Sequence, residues 1–362
     1  MAERRLKVFG WGREGEGLSP EEEARTLDRY RRRFARDRFD ERAPPSLDAL
    51  NLRPPRLAPP AALAACCSSE TYDRAAHTHG KSFCDYARAL AGDYDDAPDL
   101  VAYPQSEAEA AAVLDWAGGS QAAVIPFGAG SSVVGGITPR IVPGRHKGAV
   151  SLDLRHLDRV TAIDHTSRAA RIEAGVFGPA LEAQLRPHGL TLRHFPQSFE
   201  YSTLGGWIAT RSGGHFATLY THIDDLVESL RVVTPKGVVE TRRLPGSGAG
   251  PAPERLFIGS EGTLGVITAA WMRLQTRPRF RAGGAIHFPD PGSQPGAGFY
   301  AAARAVRAIA QAGLYPANCR ILDPNEAANT GAGDGSAAVM VLAFESGDHP
   351  VEPWLRRALE CI

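Results

Sequence analysis

Residues 126–136 read Pro-Phe-Gly-Ala-Gly-Ser-Ser-Val-Val-Gly-Gly, and this stretch decides the fold that is predicted for the chain. An apolar run at 122–125 leads straight into it, which indicates a strand that ends in a glycine-rich loop. Gly128 and Gly130 have no Cβ, so the backbone there can turn sharply and expose successive N–H groups. The two serines that follow add hydroxyl donors. Such a concave set of donors suits a phosphate or pyrophosphate, and an ordinary glycine-rich turn between strands is the alternative.

Two common nucleotide-binding motifs do not fit this loop. The dinucleotide fingerprint G-x-G-x-x-G would need glycine at the position of Val133. The triphosphate-binding loop G-x-x-x-x-G-K-[ST] needs a Gly-Lys pair, and a similar stretch elsewhere, Gly80-Lys81-Ser82, has Ala75 where the first glycine belongs. The sequence therefore excludes a nucleotide triphosphatase.

Composition narrows the class of protein. The 362 residues allow two or three domains, and 43% hydrophobic with 23% charged residues are typical of a soluble globular protein. Lys plus Arg and Asp plus Glu number 41 each, so the net charge gives no indication of a nucleic-acid partner or an acidic membrane. Five cysteines without a C-x-x-C pair predict neither a disulfide framework nor a zinc site. The charged start and the lack of a long apolar run favour a cytoplasmic protein without a transmembrane segment.

Two histidines, His77 and His79, stand at i and i+2 and could share a metal ion in a strand. A third ligand is not evident in the sequence around them. We therefore predict no metal.

Apolar periodicity and capping residues predict alternating strands and helices. The predicted helices begin at Ser19-Pro20, Ser106-Glu107, Gly178-Pro179 and Phe299. The predicted strands are 100–103, 149–154, 159–164, 169–174, 266–274, 285–288 and 338–344, with a hairpin of 225–234 and 238–242. Proline-rich residues 43–62 indicate a surface linker, and 243–253 a flexible loop. The pattern of residues along the chain changes after Pro278, which predicts a domain boundary there.

A second unusual segment runs from 196 to 215. Hydroxyl residues and paired glycines alternate there with apolar residues, which is a poor composition for a core element. We expect a buried loop that lies against a large flat ligand. A third glycine motif, at 259–265, leads into the strand at 266–274.

Together, residues 126–136, 196–215 and 259–268 resemble the FAD-binding domain of the vanillyl-alcohol-oxidase-like, or PCMH-type, flavoprotein superfamily. Three shorter stretches are most similar to the alkyldihydroxyacetonephosphate synthases within it, and the similarity covers most of 70–345. These stretches are Gly10-Trp11-Gly12, His77-Thr78-His79-Gly80-Lys81-Ser82 and Leu204-Gly205-Gly206-Trp207-Ile208-Ala209-Thr210-Arg211. The motif at 261–267 also occurs in D-lactate and glycolate dehydrogenases, so it supports only the superfamily.

The resemblance implies an α+β fold in which a PCMH-type FAD-binding domain of two α+β subdomains clasps an extended FAD. The start of an α+β cap domain follows. The expected divisions are a helical and extended N-terminal region at 1–95, the FAD-binding domain at 96–278 and a partial cap at 279–362. Residues 351–362 read as an amphipathic helix, and the cap of this family is longer. We therefore expect a C-terminally truncated chain that lacks the family's tyrosine acid, second arginine and histidine cluster.

The resemblance also assigns site residues. The pyrophosphate would be held by Pro126, Phe127, Gly128, Ala129, Gly130, Ser131 and Ser132. The flavin and ribityl chain would be lined by Pro196, Gln197, Ser198, Phe199, Glu200, Tyr201, Ser202, Ala209, Thr210, Arg211 and Ser212. The site would be completed by Glu261, Gly262, Thr263, Leu264, Gly265, Val266 and Ile267. The pyrophosphate loop has no histidine, so we expect noncovalent FAD, with His194 and His215 as alternative tethers.

The activity implied is the exchange of acyl for alkyl on acyl-dihydroxyacetone phosphate in ether-lipid synthesis, with the flavin carrying the chemistry. Arg320 resembles an active-site arginine at the start of the cap, where its guanidinium would bind phosphate; a surface ion pair is the alternative. Two other functions stay open. One is an FAD-dependent 2-hydroxyacid dehydrogenase of the D-lactate or glycolate type, or another oxidase; the other is a catalytically silent FAD-binding fragment. The expected partners are a small-molecule or lipid-like substrate and a second copy in a homodimer.

Overall fold

Short helices and strands alternate along the chain in the computed structural model, which describes residues 5–244, 248–292 and 294–362. The helices are α1 (Pro20–Phe34), α2 (Thr71–Ala76), α3 (Phe83–Leu90), α4 (Glu107–Gly119), α5 (Gly178–Leu185), α6 (Leu204–Thr210), α7 (Ala217–Tyr220), α8 (Ile223–Leu226), α9 (Glu254–Phe257), α10 (Ala297–Gln311), α11 (Pro324–Thr330) and α12 (Glu352–Leu359). The strands are β1 (Cys67–Ser68), β2 (Leu100–Ala102), β3 (Ala122–Phe127), β4 (Gly148–Asp153), β5 (Val160–Asp164), β6 (Ala169–Glu173), β7 (Leu190–Thr191), β8 (Val227–Thr234), β9 (Gly237–Glu240), β10 (Val266–Arg273), β11 (Gln275–Thr276), β12 (Phe280–Pro289), β13 (Asn318–Leu322) and β14 (Ala337–Ser346). Part of the loop predicted at 243–253 falls on 245–247, outside the described residues.

The first sheet has the strand order β1-β2-β4-β3 and presents the glycine-rich loop at its edge. Strands β2 and β3 both run parallel to β4, whose six residues are all buried, as expected for the centre of a parallel sheet. In β3, Phe127 pairs with Asp153, the last residue of β4. The loop at 128–136 therefore leaves the sheet at the carboxyl end of a parallel strand, where ligands commonly bind in such sheets.

The second sheet is antiparallel, with the order β5-β6-β10-β8-β9. Glu107 at the start of α4 connects it to the first sheet, because its carboxylate accepts hydrogen bonds from Arg231 Nε on β8 and Thr268 Oγ1 on β10, both at 2.7 Å. A single hydrophobic cluster runs through both sheets and includes Leu152 and Ile172. The predicted α+β architecture with two subdomains is confirmed, and so are the hairpin and the strands predicted within these two sheets.

A third sheet, β12-β14-β13, carries α10, α11 and α12 and has its own core. Strand β12 begins at Phe280, close to the predicted boundary at residue 278; the division at residues 95 and 278 stays a prediction. The strand predicted at 285–288 is shorter than the observed strand β12, which runs from Phe280 to Pro289. All ten residues of β12 pair with β14, so the long partner strand, and not the Arg-Ala-Gly-Gly sequence at its start, sets its length.

The expectation of an irregular loop across 196–215 is wrong for residues 204–210, which form α6. Thr203 begins this helix, and its Oγ1 accepts a hydrogen bond from Gly206 N at 3.4 Å. Gly205 lets the helix lie against Ala174, the residue that follows β6, because a Cβ at Gly205 would be 2.8 Å from the Ala174 Cβ. Close packing therefore overrides the low helix propensity of the two glycines.

Candidate active site

A cavity of about 370 Å³ lies between the glycine-rich loop, α6 and the loop before β10. It brings together segments that are far apart in the sequence. The predicted site residues on its wall are Pro126, Phe127, Gly128, Ala129, Gly130, Ser131, Ser132, Pro196, Ser198, Ala209, Thr210, Ser212, Glu261, Gly262, Gly265 and Ile267. The lining residues that were not among the individually assigned site residues are Val133, Val134, Gly136, Ile137, Leu154, Ala174, Thr203, Gly205, Gly206 and Trp207.

Nine predicted residues are not on the wall of this cavity: Gln197, Phe199, Glu200, Tyr201, Ser202, Arg211, Thr263, Leu264 and Val266. Several of them support the wall from behind. The Phe199 ring stacks on Trp207 with centroids 6.0 Å apart, and Ser202 Oγ accepts a hydrogen bond from Trp207 Nε1 at 2.7 Å. Arg211 makes an ion pair with Asp224 at 2.9 Å. A cofactor contact for each of the nine stays a prediction.

The loop presents unpaired backbone donors to the cavity wall. Within the described ranges, the four consecutive N–H groups of residues 129–132 have no hydrogen-bond acceptor. Gly130 has φ of +73°, and a Cβ there would lie 2.8 Å from the Phe127 ring. A Cβ at Gly128 would lie 2.4 Å from Thr203 Oγ1. Glycine is therefore required at both positions, and the free donors suit an anionic group.

The rest of the wall fits an extended ligand with a flat apolar end. It combines small residues, the hydroxyl residues Ser198, Thr203 and Ser212, and Trp207. Among the described lining residues Glu261 is the only acid, and it has a left-handed backbone with φ of +50°. Its Oε2 would be 2.5 Å from a Cβ at Gly136, so the carboxylate lies against the glycine-rich loop. These residues fit FAD, with its pyrophosphate between a nucleoside and a flavin ring.

Some of the missed lining residues had a signal in the sequence. Val133, Val134 and Ile137 continue the loop directly, and Leu154 follows the end of a predicted strand. Thr203 could have been found as a helix cap had the helix at 204–210 been expected. Ala174 had no local signal, because its exposure to the cavity depends on where α6 packs.

His194 lies behind Ser212 and not on the cavity wall. Its Nε2 is 2.8 Å from Ser212 Oγ. Burial, assisted by repulsion from His222, lowers the pKa of His194 to about 4, so its imidazole is neutral at physiological pH. A neutral ring can orient the Ser212 hydroxyl on the wall.

Arg320 on β13 is exposed and is also absent from the cavity wall. Its Nη1 donates a hydrogen bond to His215 Nδ1 at 2.8 Å. Burial and the neighbouring guanidinium lower the pKa of His215, which favours the neutral ring that can accept this bond. No carboxylate lies within ion-pair distance of Arg320 in the described part of the chain, so the alternative of a surface ion pair has no partner there.

A second arginine contact joins the same segment to the third sheet. Arg193 Nε donates to Glu345 Oε1 at 2.6 Å, and the guanidinium lies 3.8 Å from the centre of the Phe216 ring. Both groups of the Arg193–Glu345 pair are largely buried. The segment from 193 to 220, which supplies part of the cavity wall, is therefore fixed to the third sheet at two points.

The two histidines considered as metal ligands make separate contacts. His77 Nε2 is 2.9 Å from Asp153 Oδ2, whereas His79 Nε2 is 2.7 Å from the Asp93 carbonyl oxygen. The described residues contain no group of three or more His, Cys, Asp or Glu side chains arranged to hold a metal ion. None of the helices in the described ranges is long and apolar enough to cross a membrane.

Comparison with known proteins gives consistent matches. Residues 98–242 match the family described as FAD binding domain. An alkyldihydroxyacetonephosphate synthase of Dictyostelium discoideum is 38% identical over 253 residues, which are 70% of this chain and 40% of that protein. A mitochondrial D-lactate dehydrogenase [cytochrome] of Arabidopsis thaliana is 34% identical over 213 residues, 58% of this chain and 35% of the relative.

The fold match extends further than the sequence match. A solved structure of an alkyldihydroxyacetonephosphate synthase superimposes with a TM-score of 0.85 and 28% identity, covering 98% of this chain and 72% of that structure. The similarity therefore includes the third sheet. The aligned part of this chain spans about two fifths of the length of the Dictyostelium synthase.

Proposed function

We propose that this chain, which belongs to the vanillyl-alcohol-oxidase-like superfamily of FAD-binding flavoproteins, is an enzyme of the alkyldihydroxyacetonephosphate synthase type. The reaction would exchange the acyl group of acyl-dihydroxyacetone phosphate for an alkyl group, a step in ether-lipid synthesis. One observation carries the proposal: the likeness to a synthase structure runs through 98% of the chain, including the third sheet outside the FAD-binding domain.

FAD would lie in the large cavity, with its pyrophosphate on the unpaired N–H groups of residues 129–132. When bound, it supplies the electron-rich ring on which bonds to carbon are made and broken. We propose that it is held noncovalently, because no His, Cys or Tyr side chain is found on the cavity wall in the described ranges. The protein's part is to orient the ring and to exclude water from the site.

Arg320 is the proposed cation for the substrate phosphate. Its bond to the neutral His215 fixes the guanidinium but uses only one of its five N–H donors. With no carboxylate at ion-pair distance in the described residues, its charge is available to a phosphate, which a guanidinium can bind bidentately.

The test is alkyl-ether formation from acyl-dihydroxyacetone phosphate and a long-chain alcohol, measured on the FAD-loaded protein. Arg320→Gln should raise KM for the acyl substrate or abolish turnover, and Arg320→Lys should restore part of it. Arg304→Gln, on the exposed surface of α10, is the matched control. An FAD-loaded protein that forms no alkyl ether would refute the synthase reaction.

A 2-hydroxyacid dehydrogenase is the second candidate, because the Arabidopsis D-lactate dehydrogenase matches over 58% of the chain. In that case D-lactate or glycolate would bleach the flavin under nitrogen. Bleaching without alkyl-ether formation would replace the first proposal with the second. An FAD-loaded protein that does neither would be catalytically silent.

Three further parts of the proposal concern the setting of the reaction. We propose a lipid-like substrate, a cytoplasmic location and a homodimer. Size-exclusion chromatography with light scattering tests the dimer, since a monomer at micromolar concentration would contradict it. Fractionation of the source cells tests the location.

A further inference from the structure

The segment Gly80-Lys81-Ser82 lies directly behind the glycine-rich loop. Lys81 N donates to the carbonyl oxygen of Ser132 at 2.7 Å, and a Cβ at Gly80 would be 2.3 Å from the same oxygen. Ser82 begins α3 in a capping box with Asp85, which fixes the segment at its other end. The backbone of Lys81 is therefore held firmly against the loop that carries the free N–H groups.

The side chain of Lys81 enters a second, smaller cavity of about 30 Å³. Phe127, Ala129 and Gly130 line both cavities, so this part of the loop is the wall between them. Lys81 Nζ donates to the Gly10 carbonyl oxygen at 2.8 Å. Gly10 belongs to an N-terminal turn at 5–14, which is closed by a bond from Lys7 N to Gly12 O at 3.0 Å. The ammonium group is thus enclosed between this turn and the glycine-rich loop.

The described wall of the larger cavity carries no positive charge of its own. Among the described residues, no Lys, Arg or His side chain lines it, and Glu261 adds a negative charge. A pyrophosphate bound there would have backbone N–H dipoles as donors but no countercharge on the wall. Lys81, behind this wall, is placed to provide a compensating charge.

No ion pair within the described residues cancels the charge of Lys81. No carboxylate lies within 4.0 Å of Nζ in the described ranges, and Nζ uses one of its three N–H donors. Burial lowers the pKa of Lys81 from 10.5 to about 8, against a smaller opposing effect of Asp85. The titratable and charged groups around the small cavity are Arg5, Lys7, Glu14, Glu16, Tyr72, Asp73, His77, His79, Asp85, Arg155 and Tyr201. Of these, Arg155 is paired with Asp153 at 2.6 Å.

We propose that Lys81 is a positioning residue for FAD, whose ammonium group stabilises the pyrophosphate electrostatically through the loop at Ala129 and Gly130. It acts without touching the cofactor. The inference rests on FAD binding in the large cavity and not on the reaction that follows. Its failure would therefore leave the proposed transferase activity untouched, and an inactive enzyme would leave this inference intact.

The experiment measures the FAD dissociation constant of the apoprotein, by quenching of flavin fluorescence, from pH 7 to pH 9.5. For the natural protein we expect the affinity for FAD to fall about tenfold from pH 7 to pH 9.5. This factor follows if the bound pyrophosphate, a dianion, raises the pKa of Lys81 by about one unit. Lys81→Met should bind FAD about tenfold more weakly at pH 7, with a flatter pH profile. Lys81→Arg should bind tightly with a flat profile, because guanidinium stays charged throughout. Lys236→Met, in the exposed turn between β8 and β9, is the control.

Three outcomes would overturn the proposal. The first is an unchanged FAD affinity in Lys81→Met. The second is a pH-independent affinity in the natural protein. The third is an equal loss in Lys81→Met and Lys81→Arg, which would indicate a packing role. Near-UV circular dichroism shows whether Lys81→Met folds. If it does not fold, the Lys81→Arg variant decides the question. A pH dependence of FAD affinity as steep in Lys81→Arg as in the natural protein would exclude Lys81 as the titrating group.

Discussion

Two glycines in the loop at 126–136 share a backbone conformation and differ in the space around them. Gly130 has φ of +73° and Gly135 has φ of +74°. A Cβ at Gly130 would lie 2.8 Å from the Phe127 ring, whereas at Gly135 the nearest atom, Thr138 Oγ1, would be 4.0 Å away. Gly135→Ala therefore introduces only the backbone strain, and Gly130→Ala adds a steric clash to it.

The expected loss of stability in each alanine variant follows from this difference in space. An alanine in the left-handed region costs about 1 kcal/mol relative to glycine, so Gly135→Ala should destabilise the protein by about that amount. Overpacking adds about 1–3 kcal/mol, which puts Gly130→Ala at roughly 2–4 kcal/mol. Phe127 cannot move freely, because the centre of its ring lies 4.1 Å from that of the His77 ring. Part of the strain must therefore displace the loop and its free N–H groups.

The assays are urea unfolding of the apoprotein and fluorescence titration with FAD. Gly130→Ala should bind FAD about 10- to 100-fold more weakly, the loss expected when one or two charge-assisted hydrogen bonds are disturbed. Gly135→Ala should bind it within a factor of about three of the natural protein. Gly130→Asp should be weaker still, and more so at low salt, because it places a carboxylate beside the pyrophosphate. Equal losses in the two alanine variants would refute the claim that the contact with Phe127 controls the loop.

Three further outcomes are expected. The flavin should stay in the supernatant after acid precipitation, because the large-cavity wall in the described ranges has no His, Cys or Tyr; a yellow pellet would show a covalent bond. The contribution of Lys81 to the stability of the apoprotein should rise between pH 8 and pH 10.5, since the lysine of the unfolded chain, with a pKa of 10.5, then binds more protons than the folded one, whose pKa is about 8. Urea unfolding at several pH values measures this contribution as the free energy of unfolding of the natural protein minus that of Lys81→Met, and a difference that does not rise with pH would contradict it. Finally, Glu345→Gln should destabilise the protein by about 1–3 kcal/mol, because the largely buried Arg193 loses its charged partner; an unchanged urea midpoint would contradict it.

Local sequence patterns were sufficient for much of the fold. The apolar strand and glycines at 122–136, the hairpin of β8 and β9, and the strands β4 and β10 were predicted from patterns within a few residues. The family and its FAD-binding domain were also predicted, because glycine motifs constrain the backbone strongly enough to leave a readable signal. The assignment of individual site residues stays a prediction.

Other features depend on packing between distant parts of the chain. Local propensity disfavours a helix at 204–210, and only the close contact of Gly205 with Ala174, just after β6, accounts for it. The length of β12 is set by its partner β14, and the cavity requires three segments that are separated by dozens of residues. The sequence shows that Lys81 follows a glycine, but not that its ammonium lies behind the pyrophosphate loop. Propensities act over a few residues, whereas the direction in which a side chain faces and the charge around it are set by long-range contacts.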